Sequence, residues 1–394
     1  MKKTLVALAA LAVVGVASAQ SSVTLYGTMD AALTGVSGDT ANRIGMLSSG
    51  IGSSKLGFTG TEDLGGGLKA NFKIEGAVNA DNGSANAGLS VNNQRSGLAT
   101  VPGTAPGVAA ALPLAGQQGF VFNRFSYVGL SGGWGEVRLG RDYISTFLIQ
   151  VSVDPMSTNG IADALSLLAR GASSTGQTTL ANGSNMIGYT TPVIAGGLTA
   201  NVQYWMGENA SSAANSDAGN GCALSARYSN GPIFVGLGTQ TTRGVAAVAT
   251  AAAAATTGDF TSSTLAASYN FGAAKVTYTY SRETVDGPAG VAGTQLTNST
   301  NHLGLAVPLG ATTIKAVYGR STYNTGAPAA ADTIGTLVGI GADYALSKRT
   351  KVYATVARVS NDGASVFATG GLAGGLAAVG GASTAWMMGV NHTF

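Results

Sequence analysis

Residues 68–78 read LKANFKIEGAV, and the alternation in this stretch decides the fold. Leu68, Ala70, Phe72, Ile74 and Val78 fall on one side; Lys69, Asn71, Lys73 and Glu75 fall on the other. A helix would scatter those charges around its circumference, so a period of two, and hence a strand, is the economical reading. Residues 23–33, VTLYGTMDAAL, repeat the pattern: Val23, Leu25, Met29 and Leu33 share one face, Thr24, Thr28 and Asp30 the other.

Similar segments follow at residues 53–60, 122–130, 135–141, 185–191, 198–206, 222–229, 232–239, 263–270, 274–281, 300–307, 311–319, 336–345, 350–358 and 384–394, making sixteen in all. Their connections form two classes that alternate strictly along the chain. Seven are short and turn-like: 61–67, 131–135, 192–197, 230–231, 270–273, 308–310 and 346–349. Eight are longer: 34–52, 79–121, 142–184, 207–221, 240–262, 282–299, 320–335 and 359–383.

Composition narrows what such a sheet can be. The 394 residues include 59 glycines and 45% hydrophobic residues but only 10% charged ones. That charge content is far below the ~25% of an ordinary soluble domain, and the apolar content excludes a disordered chain. Beyond the first twenty residues nothing supplies the ~20 bulky apolar residues of a spanning helix; the tract Val245 to Ala255 is too short and too small-sided. Sixteen antiparallel strands with short turns on one rim and long loops on the other match a transmembrane β-barrel, and an even number puts both termini on the short-turn side. Only a closed sheet satisfies every backbone polar group in hydrocarbon without helices, and closure removes the edges. A barrel this wide has a lumen that side chains cannot fill, so water occupies it. Tyr26, Tyr127, Tyr204, Trp205, Tyr353 and Trp386 lie near strand ends, where they suit interfacial girdles or packing within the barrel.

The first residues supply an address. A basic start at Lys2 and Lys3, an apolar core from Leu5 to Val16 and the small residues Ala17, Ser18 and Ala19 make residues 1–19 a cleavable secretory signal, leaving 20–394 as the barrel. Its removal takes two lysines from the 21 basic residues and leaves 19 against 18 acidic ones. So even a balance gives a nucleic-acid partner no electrostatic support. Cys222 is the sole cysteine and cannot form an intramolecular disulfide.

Four motifs then carry a family likeness: SVTLYG at 22–27, SSKLGFTGTEDLGGGLKA at 53–70, NRFSYVGL at 123–130 and GEVRLGR at 135–141. The chain resembles a Gram-negative general diffusion porin of the betaproteobacterial type. Strand and loop order match throughout, while close motif matches concentrate before residue 206. The terminal aromatic Phe394, with Val390 and His392 on its face, resembles the signature read by the outer-membrane insertion machinery. The likeness implies an outer-membrane homotrimer set among lipid and lipopolysaccharide. It also implies a water-filled pore in each subunit for ions and small hydrophilic solutes, and a third loop folded into the barrel.

That third loop, residues 142–184, is long for a connection in a compact fold, and loops of this length are usually functional or disordered. It holds Asp142, Asp154 and Asp163, with Arg170 near its end. Strand parity turns Lys55, Arg124 and Arg138 inward, and Arg141 sits where its strand leaves the barrel. In the family, basic wall residues matching Lys55, Arg124, Arg141 and Arg170 face acidic groups of the folded loop, giving a transverse field across the narrowest section. Five basic positions against three acidic ones predict a weak anion preference.

Other functions find little support. The pairs Gly236–Gly238 and Gly339–Gly341 lie inside strand patterns with no following helix or Walker lysine, so they read as sites of bending or of close packing beneath a loop, not as phosphate cradles. Catalysis would want a histidine beside a nucleophile or carboxylate. The two histidines, His302 on the lumen side and His392 on the outer face, belong to no nucleophile motif. No enzymatic activity, cofactor or metal site is expected. The nearly uncharged stretches 79–121 and 240–262 suit exposed loops able to meet phage or host. A solute-specific channel would want an aromatic track along the lumen, and inward aromatics such as Tyr26 are few.

Overall fold

The computed structural model describes residues 22–84, 122–168, 179–212, 216–244, 258–286, 295–324, 332–363, 365, 367–370 and 378–394. The signal segment and Arg170 lie outside them. β1 (Ser22–Gly38), β2 (Asn42–Ser48), β3 (Lys55–Gly65) and β4 (Leu68–Ala77) open the chain. β5 (Phe125–Gly132) and β6 (Gly135–Tyr143) lead into two helices, α1 (Ser145–Val153) and α2 (Leu165–Leu168). β7 (Asn182–Thr190), β8 (Leu198–Trp205), β9 (Gly221–Asn230), β10 (Ile233–Thr242), β11 (Phe260–Asn270) and β12 (Lys275–Asp286) follow. β13 (Gln295–Leu309), β14 (Thr312–Asn324), β15 (Thr333–Ala345), β16 (Thr350–Asp362) and β17 (Ala382–Thr393) complete the wall.

All pairings between these strands are antiparallel, and β1 closes the sheet by pairing with β17, Thr28 opposite Thr393. On its other edge β1 pairs with β2 at its upper end and β3 at its lower end, so these two segments form one interrupted stave and the closed barrel has sixteen. The ring is clipped at the terminus: Gly27 and Phe394 exchange both backbone hydrogen bonds at 3.1 Å, and the Phe394 ring lies against Gly27.

The alternation has the inverted sense of a membrane barrel. Val23, Leu25, Leu130, Leu139, Leu237, Leu303 and Val356 are exposed on the outer face. Thr264, Thr277, Ser281, Asn298, Thr300 and Thr355 are buried on the inner one. Apolar side chains facing lipid and small polar ones facing the lumen satisfy both surroundings at once.

One sequence expectation changes here. The stretch 34–52, expected as a long loop, is mostly strand. Residues 31–37 of β1 pair with β2 in a tight hairpin, because Ala32, Thr34 and Val36 continue the inward period. The stave breaks only at residues 49–54. There the fully buried Asp30 carboxylate accepts the N–H groups of Gly50, Ile51 and Gly52 at 2.8–3.0 Å, together with Asn391 Nδ2 and the Tyr353 hydroxyl. One carboxylate thus replaces the ladder bonds that the break gives up. The aromatics, for which the sequence leaves girdle and barrel packing both open, divide: Tyr26, Tyr127, Trp205 and Tyr353 turn inward, whereas Tyr204 and Trp386 stay on the outer face. Inside, the Tyr353 hydroxyl donates to Asp30 and the Tyr26 hydroxyl to Glu75, while Trp205 packs with Ile144 and Met186.

Candidate functional site

The connection between β6 and β7 folds into the barrel. α1 packs against β9 to β12, and α2 against β13 and β14. Small residues make room for it. A Cβ on Gly236 would lie 2.9 Å from Ile149, one on Gly304 2.5 Å from Pro155, one on Gly319 2.8 Å from Leu167 and one on Gly339 2.7 Å from Ala162. Glycine lets the loop approach the wall, as expected at Gly236, Gly238 and Gly339, whereas Gly341 meets Thr355 of the neighbouring strand. Met156, Ile161, Ala162 and Leu167 then pack with Val317, Leu337, Ala357, Val359 and Met387.

Polar ties supplement this packing. Gln150 Nε2 donates to Thr264 Oγ1 at 3.0 Å and to Ser281 Oγ at 3.2 Å. Asn298 Nδ2 donates to the Leu167 carbonyl at 3.0 Å, and Thr146 bonds Gln240. At its tip, Asn159 Oδ1 accepts from Ser53 Oγ, next to the break between β2 and β3.

The charged side chains gather on the opposite wall, β3 to β6. Glu75, only 1% exposed, is their centre: Arg124 Nε lies 2.6 Å from Oε1, while Lys73 Nζ at 3.7 Å and Lys55 Nζ at 4.0 Å approach Oε2. Tyr26 donates its hydroxyl to the same oxygen at 2.8 Å. Register explains the convergence, since Glu75 lies opposite Gly57 in β3 and Phe125 in β5, placing Lys55 and Arg124 within reach. A second group forms on β6. Arg138 bridges Glu136 at 2.9 Å and Asp142 at 3.0 Å. A bulge between Gly140 and Asp142 breaks the parity there. Arg141 therefore reaches sideways, Nε to the Asn123 carbonyl and Nη1 to Ser184 Oγ, each at 2.6 Å. Aromatic rings hold the cations in place: Lys73 sits 3.7 Å from the Phe125 centroid, Arg138 4.5 Å from Tyr127 and Arg124 5.4 Å from Tyr143.

Lys55, Arg124, Arg138, Arg141 and Asp142 are thus brought together. Asp154 and Asp163 lie elsewhere. The Asp154 carboxylate accepts the N–H groups of Met156, Thr158 and Ala164, folding the loop on itself. Asp163 accepts the Ser166 N–H at 2.7 Å. Crowding by protein and the negative charge of Asp154 push its pKa up to about 7. The partners of the wall cations are strand carboxylates, Glu75 and Glu136 beside Asp142, rather than loop ones. Neither Glu75 nor Glu136 nor Lys73 was expected at the site, although Lys73 and Glu75 share a face in the very stretch that reveals the strand.

A Gram-negative porin family profile matches residues 4–364. The chain belongs to the Gram-negative porin family. It is 35% identical over 401 aligned residues to outer membrane porin protein 32 of Delftia acidovorans, the match spanning all of both chains. Among solved structures it resembles the anion-selective porin from Comamonas acidovorans, with a TM-score of 0.75 and 31% identity over 95% of this chain and all of that one. The trimer form of OmpT from Vibrio cholerae, at 16% identity and a TM-score of 0.62 over 95% of this chain and 99% of its own, shares the fold. This porin is accordingly an outer-membrane β-barrel that serves as a diffusion channel for ions and small hydrophilic solutes.

Proposed function

We propose that the channel narrows between the charged wall of β3 to β6 and the folded loop, and that it passes anions in weak preference to cations. The observation that carries this is the balance of the wall. Lys55, Lys73, Arg124, Arg138 and Arg141 bring five positive charges against three negative ones on Glu75, Glu136 and Asp142. A small excess of one sign, set against low-dielectric walls, biases which ions enter. The name of the solved relative, an anion-selective porin, supports the same sign. Arg170 would add to the positive side, and Asp154 and Asp163 would act on the passage through the loop's shape more than through their charge.

In this reading the signal at 1–19 is cleaved, the barrel 20–394 inserts through a terminal signature centred on Phe394, and three copies assemble among lipid and lipopolysaccharide. The reading assigns no catalysis: His302 is enclosed beneath the loop and His392 pairs with Thr350 Oγ1 on the outer face. Single-channel recording of the purified protein under a potassium chloride gradient tests it. Current steps in groups of three with a reversal potential of anion-selective sign are expected; a cation-selective sign would overturn the preference, and silence would overturn the open channel.

A further inference from the structure

Three arginines stand on the outer face, on alternate strands, among lipid-facing neighbours: Arg282 in β12, Arg320 in β14 and Arg358 in β16, all exposed. Their heights follow from the register. In a tilted barrel a row of paired residues climbs relative to the membrane plane by about one residue per strand. Closure sets the direction of the climb, because Thr393 at the lower end of β17 meets Thr28, well above the start of β1 at Ser22. The row through Arg282 passes Ser299 and arrives at Thr322, and Arg320 lies two residues lower. The row through Arg320 passes Thr336 and arrives at Ser360, and Arg358 again lies two residues lower. The two corrections cancel the climb, so the three guanidinium groups share one level, spaced about 12 Å apart around the wall.

That level is the upper border of the apolar band. Tyr278, Leu303, Tyr318, Val338 and Val356 are exposed below it. Hydrogen-bonding side chains accompany the arginines, Asn301 and Thr336 between them and Thr384 on β17 beyond Arg358, the last accepting from Arg358 Nη1 at 3.2 Å. None of the three forms an ion pair among the described residues. On the outward face of these strands the nearest acids, Asp286 and Asp362, stand four residues higher, about 13 Å away along the strand, while Glu283, next to Arg282, is buried on the lumen face. An unneutralised arginine at the edge of hydrocarbon is suited to a phosphate held at the same depth, which its planar fork can meet with two hydrogen bonds.

We infer that Arg282, Arg320 and Arg358 form a belt that binds the phosphate-bearing headgroups of glycolipid in the outer leaflet. The inference rests on the outer-membrane reading above and names the lipid contact it implies. The test measures binding of the detergent-solubilised porin to phosphorylated lipid A, to its dephosphorylated counterpart and to inorganic phosphate. Replacing all three arginines, Arg282→Gln, Arg320→Gln and Arg358→Gln, is expected to weaken phosphorylated lipid A by about fivefold per residue, on the order of a hundredfold together. The dephosphorylated lipid should bind both proteins equally weakly, and the corresponding lysine variant should retain most of the affinity. Equal binding of the two lipids by the native protein, or unchanged affinity in the glutamine variant, would overturn the belt; effective competition by millimolar inorganic phosphate would overturn the headgroup as its ligand. Channel conductance should be the same in native and variant proteins, so loss of current from the native protein would count against the channel reading and not against the belt.

Discussion

Glu75 carries more of the wall's electrostatics than any other side chain, since three cations and a phenol converge on it. Glu75→Gln removes one negative charge beside the passage. One unit charge acting across ~7 Å of water shifts an ion's local concentration about threefold. Anions gain and cations lose by that factor, so anion-to-cation permeability should rise on the order of tenfold, read as a shift in reversal potential. The residue was half legible: alternation put it on the lumen face with Lys73, but its partners come from β3 and β5, and only the register brings them alongside. Asp154 shows the opposite difficulty. Its acidity is plain in the sequence, yet a carboxylate near unpaired backbone N–H groups is drawn to them, and here it accepts three. Asp163 adds a pH dependence. Its folded-state pKa lies above the ordinary value of 3.8, at about 7, so the folded protein favours the protonated acid. That contribution is complete below pH 4 and is lost as the pH climbs through 7. The thermal midpoint of the folded barrel should fall over this range, and Asp163→Asn should flatten the fall.

Among the elements, most strands were readable because lipid outside and water inside enforce period two over their whole length. The first long connection was not. Its residues 34–48 mix small and polar side chains, and their pairing as β1 and β2 depends on the Asp30 anchor, whose ligands come from residues 50–52, 353 and 391. The loop between β6 and β7 was legible as long and functional, and the glycines of its bed as places for close packing. Which glycine meets which loop residue was not, because that depends on how the loop crosses the lumen. Gly304→Val places a side chain where Pro155 now lies, 2.5 Å from the position of the new Cβ. Overpacking of this kind costs about 1–3 kcal/mol. The loop should lift from the wall into the passage, and single-channel conductance should fall while the barrel still folds.

For the molecule as a whole, the strict alternation of short and long connections was enough to specify a closed sheet of sixteen staves. It could not specify the distribution of charge inside. The sequence pattern offers five basic positions against three acidic ones; the described wall holds the same balance with different members, Lys73 standing in the count for Arg170, which lies outside the described residues, and Glu75 and Glu136 for Asp154 and Asp163. A preference that arises from such a field must weaken with screening, since the Debye length falls from about 30 Å at 0.01 M salt to about 3 Å at 1 M. A preference that arose from pore width alone would not. The most direct test is therefore the reversal potential of the reconstituted channel, measured across a fixed tenfold gradient of potassium chloride at several absolute concentrations. Anion preference should be clearest in dilute salt and approach the ratio of free ion mobilities near 1 M; a preference for cations, or one that does not change with concentration, would contradict the account.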